Sequence, residues 1–104
     1  MSNATQTDKR VAVEILRQLG GNKFIAMTGA KNFSCTDNSF VCQIPMKKDR
    51  ISHIKITLNA LDTYDLEFIS IYGSKYKLVS TFEGAYNDML KGIIEDKTGL
   101  YLTL

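Results

Sequence analysis

The chain has 104 residues, 44% apolar and 23% charged, with five Phe, five Tyr, seven Gly and one Pro, the composition of a single globular domain with room for one core. A mean hydropathy of −0.11 and 13 basic against 11 acidic residues argue against a disordered chain, and no apolar run approaches the roughly 20 residues of a membrane-spanning helix. The opening MSNATQTDKR lacks the apolar stretch of about 7–15 residues of a secretory signal, so the expected location is the cytoplasm, with no membrane partner.

The first six residues are small and polar and read as a flexible N-terminus, with a single domain over 7–104. From Thr7 to Leu19, the spacing of Val11, Ile15 and Leu19, widened by Ala12 and Leu16, predicts an amphipathic helix. Thr7 is its expected N-cap, Asp8 suits the positive end of the dipole, and Gly20 and Gly21 stop it. Asn22 to Asn32 reads as a short extended piece through Phe24, Ile25 and Met27, leading into a turn at Gly29. Phe33 to Cys35 and Phe40 to Ile44 form a hairpin through Thr36, Asp37, Asn38 and Ser39. Pro45 ends its second strand, because the ring removes a ladder donor.

Met46 to Ser52 carries Lys47, Lys48, Asp49 and Arg50 without apolar periodicity and reads as a solvated loop. His53 to Leu58 is a half-buried strand, with Ile54, Ile56 and Leu58 on one face and His53, Lys55 and Thr57 on the other. Thr63 to Tyr72 alternates in the same way until Ile69 and Ile71 reverse the pattern, which calls for a bulge or burial on both faces. Gly73, Ser74 and Lys75 turn the chain into a strand over Tyr76 to Val79. Ser80 and Glu83 make a capping box, which predicts a helix from Thr81 to about Lys97, built on Phe82, Tyr86, Met89, Leu90, Ile93 and Ile94 and stopped by Gly99. Leu100 to Leu104 adds a short strand or docks on the core. This order predicts an α+β domain: an antiparallel β-meander of about five strands, with an N-terminal and a C-terminal helix packed on one face.

Charge is uneven along the chain. Lys9 to Lys55 carries a net +6, and Ile56 onward a net −3. The basic residues alternate with aromatic ones in Lys23-Phe24, Lys31-Asn32-Phe33 and Lys75-Tyr76-Lys77, a composition that suits stacking on bases and holding phosphates but also suits an ordinary soluble sheet.

Catalytic chemistry finds little support. His53 stands on a polar strand face beside Lys55 with no acid or nucleophile nearby in sequence. Cys35 and Cys42 are expected diagonal to one another in the hairpin, Cys35 opposing Phe40 and Cys42 opposing Phe33, too far apart for a disulfide; they read as small core residues. Their spacing also fails the usual zinc patterns. Asp62, Asp65 and Glu67 lack calcium-loop spacing and read as a turn cap and a solvated strand face that pairs with Lys55. Gly20, Gly21 and Gly29 match neither the dinucleotide fingerprint nor the P-loop pattern.

The stretches Leu19-Gly20-Gly21-Asn22-Lys23-Phe24, Met27-Thr28-Gly29-Ala30-Lys31-Asn32-Phe33 and Asp62-Thr63-Tyr64-Asp65, with Tyr86-Asn87-Asp88-Met89-Leu90 and Thr98-Gly99-Leu100-Tyr101, resemble a group of small proteins carried by bacteriophages, prophages and other mobile elements. The resemblance spans 15–104, and Cys35 and Cys42 are not part of its pattern. No activity or site residue comes with it. It implies an intracellular accessory factor that binds a host or phage macromolecule.

The expectation is therefore a non-enzymatic binding module, without catalytic, metal-binding or cofactor-binding residues. It contacts a protein or a nucleic acid through its basic first half, with Lys23, Lys31, Lys47, Lys48 and Arg50 supplying the charge. The alternative is a homo-oligomeric structural or protein-interaction module with no nucleic-acid binding, motivated by short exposed strands and the apolar C-terminus.

Overall fold

The computed structural model describes residues 2–36, 38–46 and 49–100. Two helices, α1 (Ser2–Leu19) and α2 (Asn22–Thr28), precede five strands, β1 (Lys31–Cys35), β2 (Ser39–Gln43), β3 (His53–Leu58), β4 (Tyr64–Tyr72) and β5 (Lys75–Ala85). A single turn of 3-10 helix over Asn87–Met89 then leads into α3 (Leu90–Thr98). The strands form one antiparallel sheet in the order β1-β2-β3-β4-β5, so each pairs with its neighbour in sequence. The fold is the expected α+β meander. Among the described residues, no helix is long and apolar enough to cross a membrane.

Period-two patterning decides which sheet face is buried. The register aligns Phe40 with Ile56 and Leu66, and Cys42 with Ile54 and Phe68, all of them buried. These side chains join Ala12, Ile15 and Leu19 of α1, Phe24 of α2, and Leu90 and Ile94 of α3 in one hydrophobic cluster. The intervening residues Val41, Lys55, Thr57, Asp65 and Glu67 are half-exposed on the opposite face.

Three expectations are corrected. The first helix begins at Ser2, not Thr7, because no Gly or Pro interrupts the segment and Thr7 and Asp8 continue the helix. Asn22–Thr28 is a helix rather than an extended piece: Phe24 and Thr28, at i and i+4, are both buried and hold one face against the core.

The largest correction falls on 81–85, expected as the start of a long helix and found as the end of β5. Here Phe82 opposes Leu66, Thr81 opposes Glu67 and Ala85 opposes Tyr64. Two register shifts, opposite Phe68/Ile69 and opposite Tyr64/Leu66, hide the period of two. At the second, Gly84 takes φ +78° and donates its N–H to Asp65 Oδ1 at 3.0 Å. Pairing with β4 thus overrides the local capping box. The extra residue at the first shift belongs to β5, and β4 keeps its register with β3; its pattern reverses because both faces are buried there, with Phe68 in the main cluster and Ile69 buried outside it.

Helices α2 and α3 end in the same way. Thr28 Oγ1 donates to Phe24 O at 2.8 Å and accepts the Ala30 N–H at 3.1 Å. Thr98 Oγ1 donates to Ile94 O at 2.6 Å and accepts the Leu100 N–H at 3.2 Å. Between each threonine and the buried apolar residue stands a glycine, Gly29 or Gly99, both at φ +75°. Only glycine takes that left-handed cap without strain. Leu100 is buried in the main cluster; the rest of the segment expected to add a short strand or dock on the core, residues 101–104, lies outside the described residues.

Candidate functional site

The antiparallel register sorts charge along the strand direction. The start of β1, the end of β2, the start of β3, and the β4–β5 turn lie at one end of the sheet. That end carries Lys31, Arg50, Lys75 and Lys77, all exposed, with Asp49 as their acidic neighbour. The other end, with the β3–β4 turn and the end of β5, carries Asp62, Asp65 and Glu83. From Phe68 to Phe82 there is no acidic residue at all.

At the basic end the β4–β5 hairpin has two unlike faces. Tyr72 opposes Lys75 and Ser70 opposes Lys77, so Tyr72, Lys75 and Lys77 share one face. The Arg50 guanidinium lies over the Tyr72 ring, 5.9 Å from its centroid, within cation–π range. Ile71 opposes Tyr76 and Ile69 opposes Leu78, so the other face is apolar, with Tyr76 64% and Leu78 47% exposed.

The connection from β2 to β3 is fastened to this hairpin by Ser52. Its N–H donates to Ile69 O at 2.9 Å, its carbonyl accepts the Ile44 N–H at 2.8 Å, and its buried Oγ accepts the Ile71 N–H at 2.9 Å. Ser52 Oγ also lies 2.8 Å from His53 Nδ1. This is a structural pairing rather than a nucleophile and its base, because Ser52 is 2% exposed. Burial holds the His53 imidazole below its ordinary pKa of 6.5, so at neutral pH it adds no positive charge here. Replacing Ser52 by alanine is expected to cost about 1 kcal/mol, the net value of the lost hydrogen bond to a partly water-accessible amide. Urea denaturation measures it.

Of the residues expected to supply charge, Arg50 reaches this cluster. Lys31 lies at the same end of the sheet but on the opposite edge strand, lining a cleft of about 280 Å³ with Gly29, Gln43, Ile44, Pro45, Met46 and Ser52. Lys23 is exposed on α2, and no hydrogen bond, ion pair or ring contact joins it to the others among the described residues. Lys47 and Lys48 lie outside the described residues. The charged surface is thus not that of the first half of the chain alone: Lys75 and Lys77 come from the second half and stand beside Tyr72. Their signal in the sequence is the Lys75-Tyr76-Lys77 run inside an acid-free stretch.

The acidic end is built around Asn59. Its Oδ1 accepts the Leu61 N–H at 2.9 Å and the Thr63 N–H at 3.2 Å, and its Nδ2 donates to Asp65 Oδ1 at 3.0 Å. Asn59 therefore caps the turn in place of Asp62, which sits at φ +63°. A shallow cavity of about 450 Å³ opens there, lined by Asn59, Ala60, Leu61, Thr63, Asp65, Glu83 and Gly84. Asp65 is engaged by Gly84 and Asn59, and no cluster of metal-ligating side chains is found among the described residues. Across the sheet Lys55 opposes Glu67, and Asp65 opposes Thr57.

Both cysteines are free thiols. Cys35 opposes Phe40 as expected, but the register slips between Lys31 and Ser34, and Phe33 stacks on Phe40 with ring centroids 5.7 Å apart instead of opposing Cys42. Burial pushes the Cys42 thiol up to about 12, which leaves it an unreactive core side chain. Comparison of the chain with protein-family models, curated proteins and solved structures found no match.

Proposed function

We propose that this protein is a non-enzymatic accessory module of mobile-element origin that binds nucleic acid through the basic end of its sheet. The observation that carries the reading is the sorting of Lys31, Arg50, Lys75 and Lys77 to one end and Asp62, Asp65 and Glu83 to the other. A small net charge of +2 then coexists with a local cationic surface, and such a surface attracts phosphates whatever the total charge. A cationic contact loses affinity as salt rises, since bound phosphates release their counterions.

The test is a titration of labelled single-stranded and duplex oligonucleotides at two salt concentrations, with the wild type and with Arg50, Lys75 and Lys77 together replaced by Ser. The wild type is expected to bind at low salt with a steep salt dependence. The triple variant is expected to bind more weakly, its slope of log affinity against log salt reduced by about one unit per lost phosphate contact. Absence of wild-type binding at low salt would remove this reading and leave self-association as the alternative.

A further inference from the structure

We infer that the basic end takes single-stranded rather than duplex nucleic acid, with Tyr72 as the ring on which a base stacks. The inference deepens, and rests on, the nucleic-acid reading above. Tyr72 stands at the tip of the β4–β5 hairpin and is 65% exposed. One side of its ring is covered by Arg50, 5.9 Å from the centroid, and its cross-strand neighbour is Lys75, with Lys77 on the same face. An open aromatic face flanked by cations is the arrangement that holds an unpaired base and its phosphates together.

Along a duplex the ring finds no free base face except at the two ends, because the interior bases already stack on one another. The phosphate contacts remain in both forms, so the ring alone provides the preference. Arg50 is held in place at some cost. Asp49 and Arg50 are consecutive non-glycine residues at φ +55° and +57°, a conformation that arginine rarely adopts. In this left-handed turn the guanidinium lies over the tyrosine, and backbone strain of this kind clusters at functional sites.

The opposite face of the hairpin supplies an internal control. Tyr76 is as exposed as Tyr72, at 64%, but its neighbours are Ile71 and Leu78 rather than lysines. It has the same chemistry without the cations.

The experiment measures fluorescence anisotropy with a fluorescein-labelled oligothymidylate of about 15 nucleotides, near the upper range of single-domain site sizes, and with a blunt duplex of similar length. The proteins are the wild type, Tyr72→Phe, Tyr72→Leu and Tyr76→Leu, each checked for the wild-type circular dichroism spectrum. The wild type is expected to prefer the single strand. Tyr72→Phe keeps that preference, because it keeps the ring. Tyr72→Leu loses about tenfold on the oligothymidylate, the value of one stacked base, and is unchanged on the duplex, while Tyr76→Leu changes neither. Salt-dependent binding that is equal on both probes, or that Tyr72→Leu leaves intact, would overturn the stacking inference while the nucleic-acid reading stands. If no salt-dependent binding appears on either probe, both fall.

Discussion

Replacing Phe68 by alanine is expected to cost about 3–5 kcal/mol, the range for deleting a fully buried aromatic side chain and leaving its cavity. Phe68 has no exposed surface, opposes Ile54 on β3 and Ser80 on β5, and lies in the cluster that ties the helices to the sheet. A domain of this size has a total stability of about 5–15 kcal/mol, so the variant stands near the edge of folding. Urea denaturation gives the loss from the shift in midpoint at unchanged slope. Ile71→Ala, on the same strand but on the exposed hairpin, is expected to stay within about 0.5 kcal/mol, as surface substitutions do. Equal losses at the two positions would contradict the burial pattern of β4.

The same contrast explains how far the fold was legible in the sequence. Strands β2, β3 and the first part of β4 each bury one face of a regular ladder, so Phe40, Cys42, Ile54, Ile56, Leu66 and Phe68 carry a clean period of two. Strand β5 is an edge strand with two register shifts. Each shift moves a side chain to the other face, and the residual spacing of Phe82 and Tyr86 imitates a helix. The capping box of Ser80 and Glu83 is a sound local signal that lost to pairing with a strand more than ten residues earlier in the chain. No local rule contains that information.

Helix α2 failed for the opposite reason. Seven residues are too few to display a helical period, and their fold is fixed by the two ends: Gly21 before them and Thr28-Gly29 after them. Short turn-forming stretches of the sequence fall on such junctions. Gly20-Gly21 separates α1 from α2, Thr28-Gly29 closes α2, Asp62 to Asp65 spans the turn into β4, Asn87 to Met89 enters α3, and Thr98-Gly99 closes it. They are the punctuation of the fold, and the stretch around Thr28-Gly29, from Met27 to Phe33, reaches the basic end through Lys31.

The candidate site was legible only as composition. Arg50 was identified from charge alone, but nothing in the sequence announces that it lies on Tyr72. That contact needs the β2–β3 connection and the β4–β5 hairpin to meet at one end of the sheet, and the meander order supplies this. Charge that is uneven along the sequence became charge sorted along the strands. The sign of each end follows from which turns it contains, not from which half of the chain contributes.

Replacing Ile94 by alanine is expected to cost about 2–5 kcal/mol and to act first on α3. An isolated helix of nine residues is unstable in water, and Gly92 in its middle weakens it by about a further 1 kcal/mol relative to alanine. Docking through Leu90, Ile94 and Thr98, one stripe at i, i+4 and i+8, must therefore supply its stability. Ile94 is the centre of that stripe and has no exposed surface. Its carbonyl also accepts the Thr98 hydroxyl that closes the helix, so loosening this turn weakens the cap as well. Hydrogen exchange is expected to show the amides of Ile94 to Thr98 losing protection before those of Ile54 and Ile56 in β3, because local opening of a docked helix costs less than opening the central strand. An equal rise in exchange across α3 and β3 would mean that the helix and sheet open as one unit. In that case α3 is part of the nucleus that holds the sheet, and Phe68 and Ile94 report on the same cooperative transition.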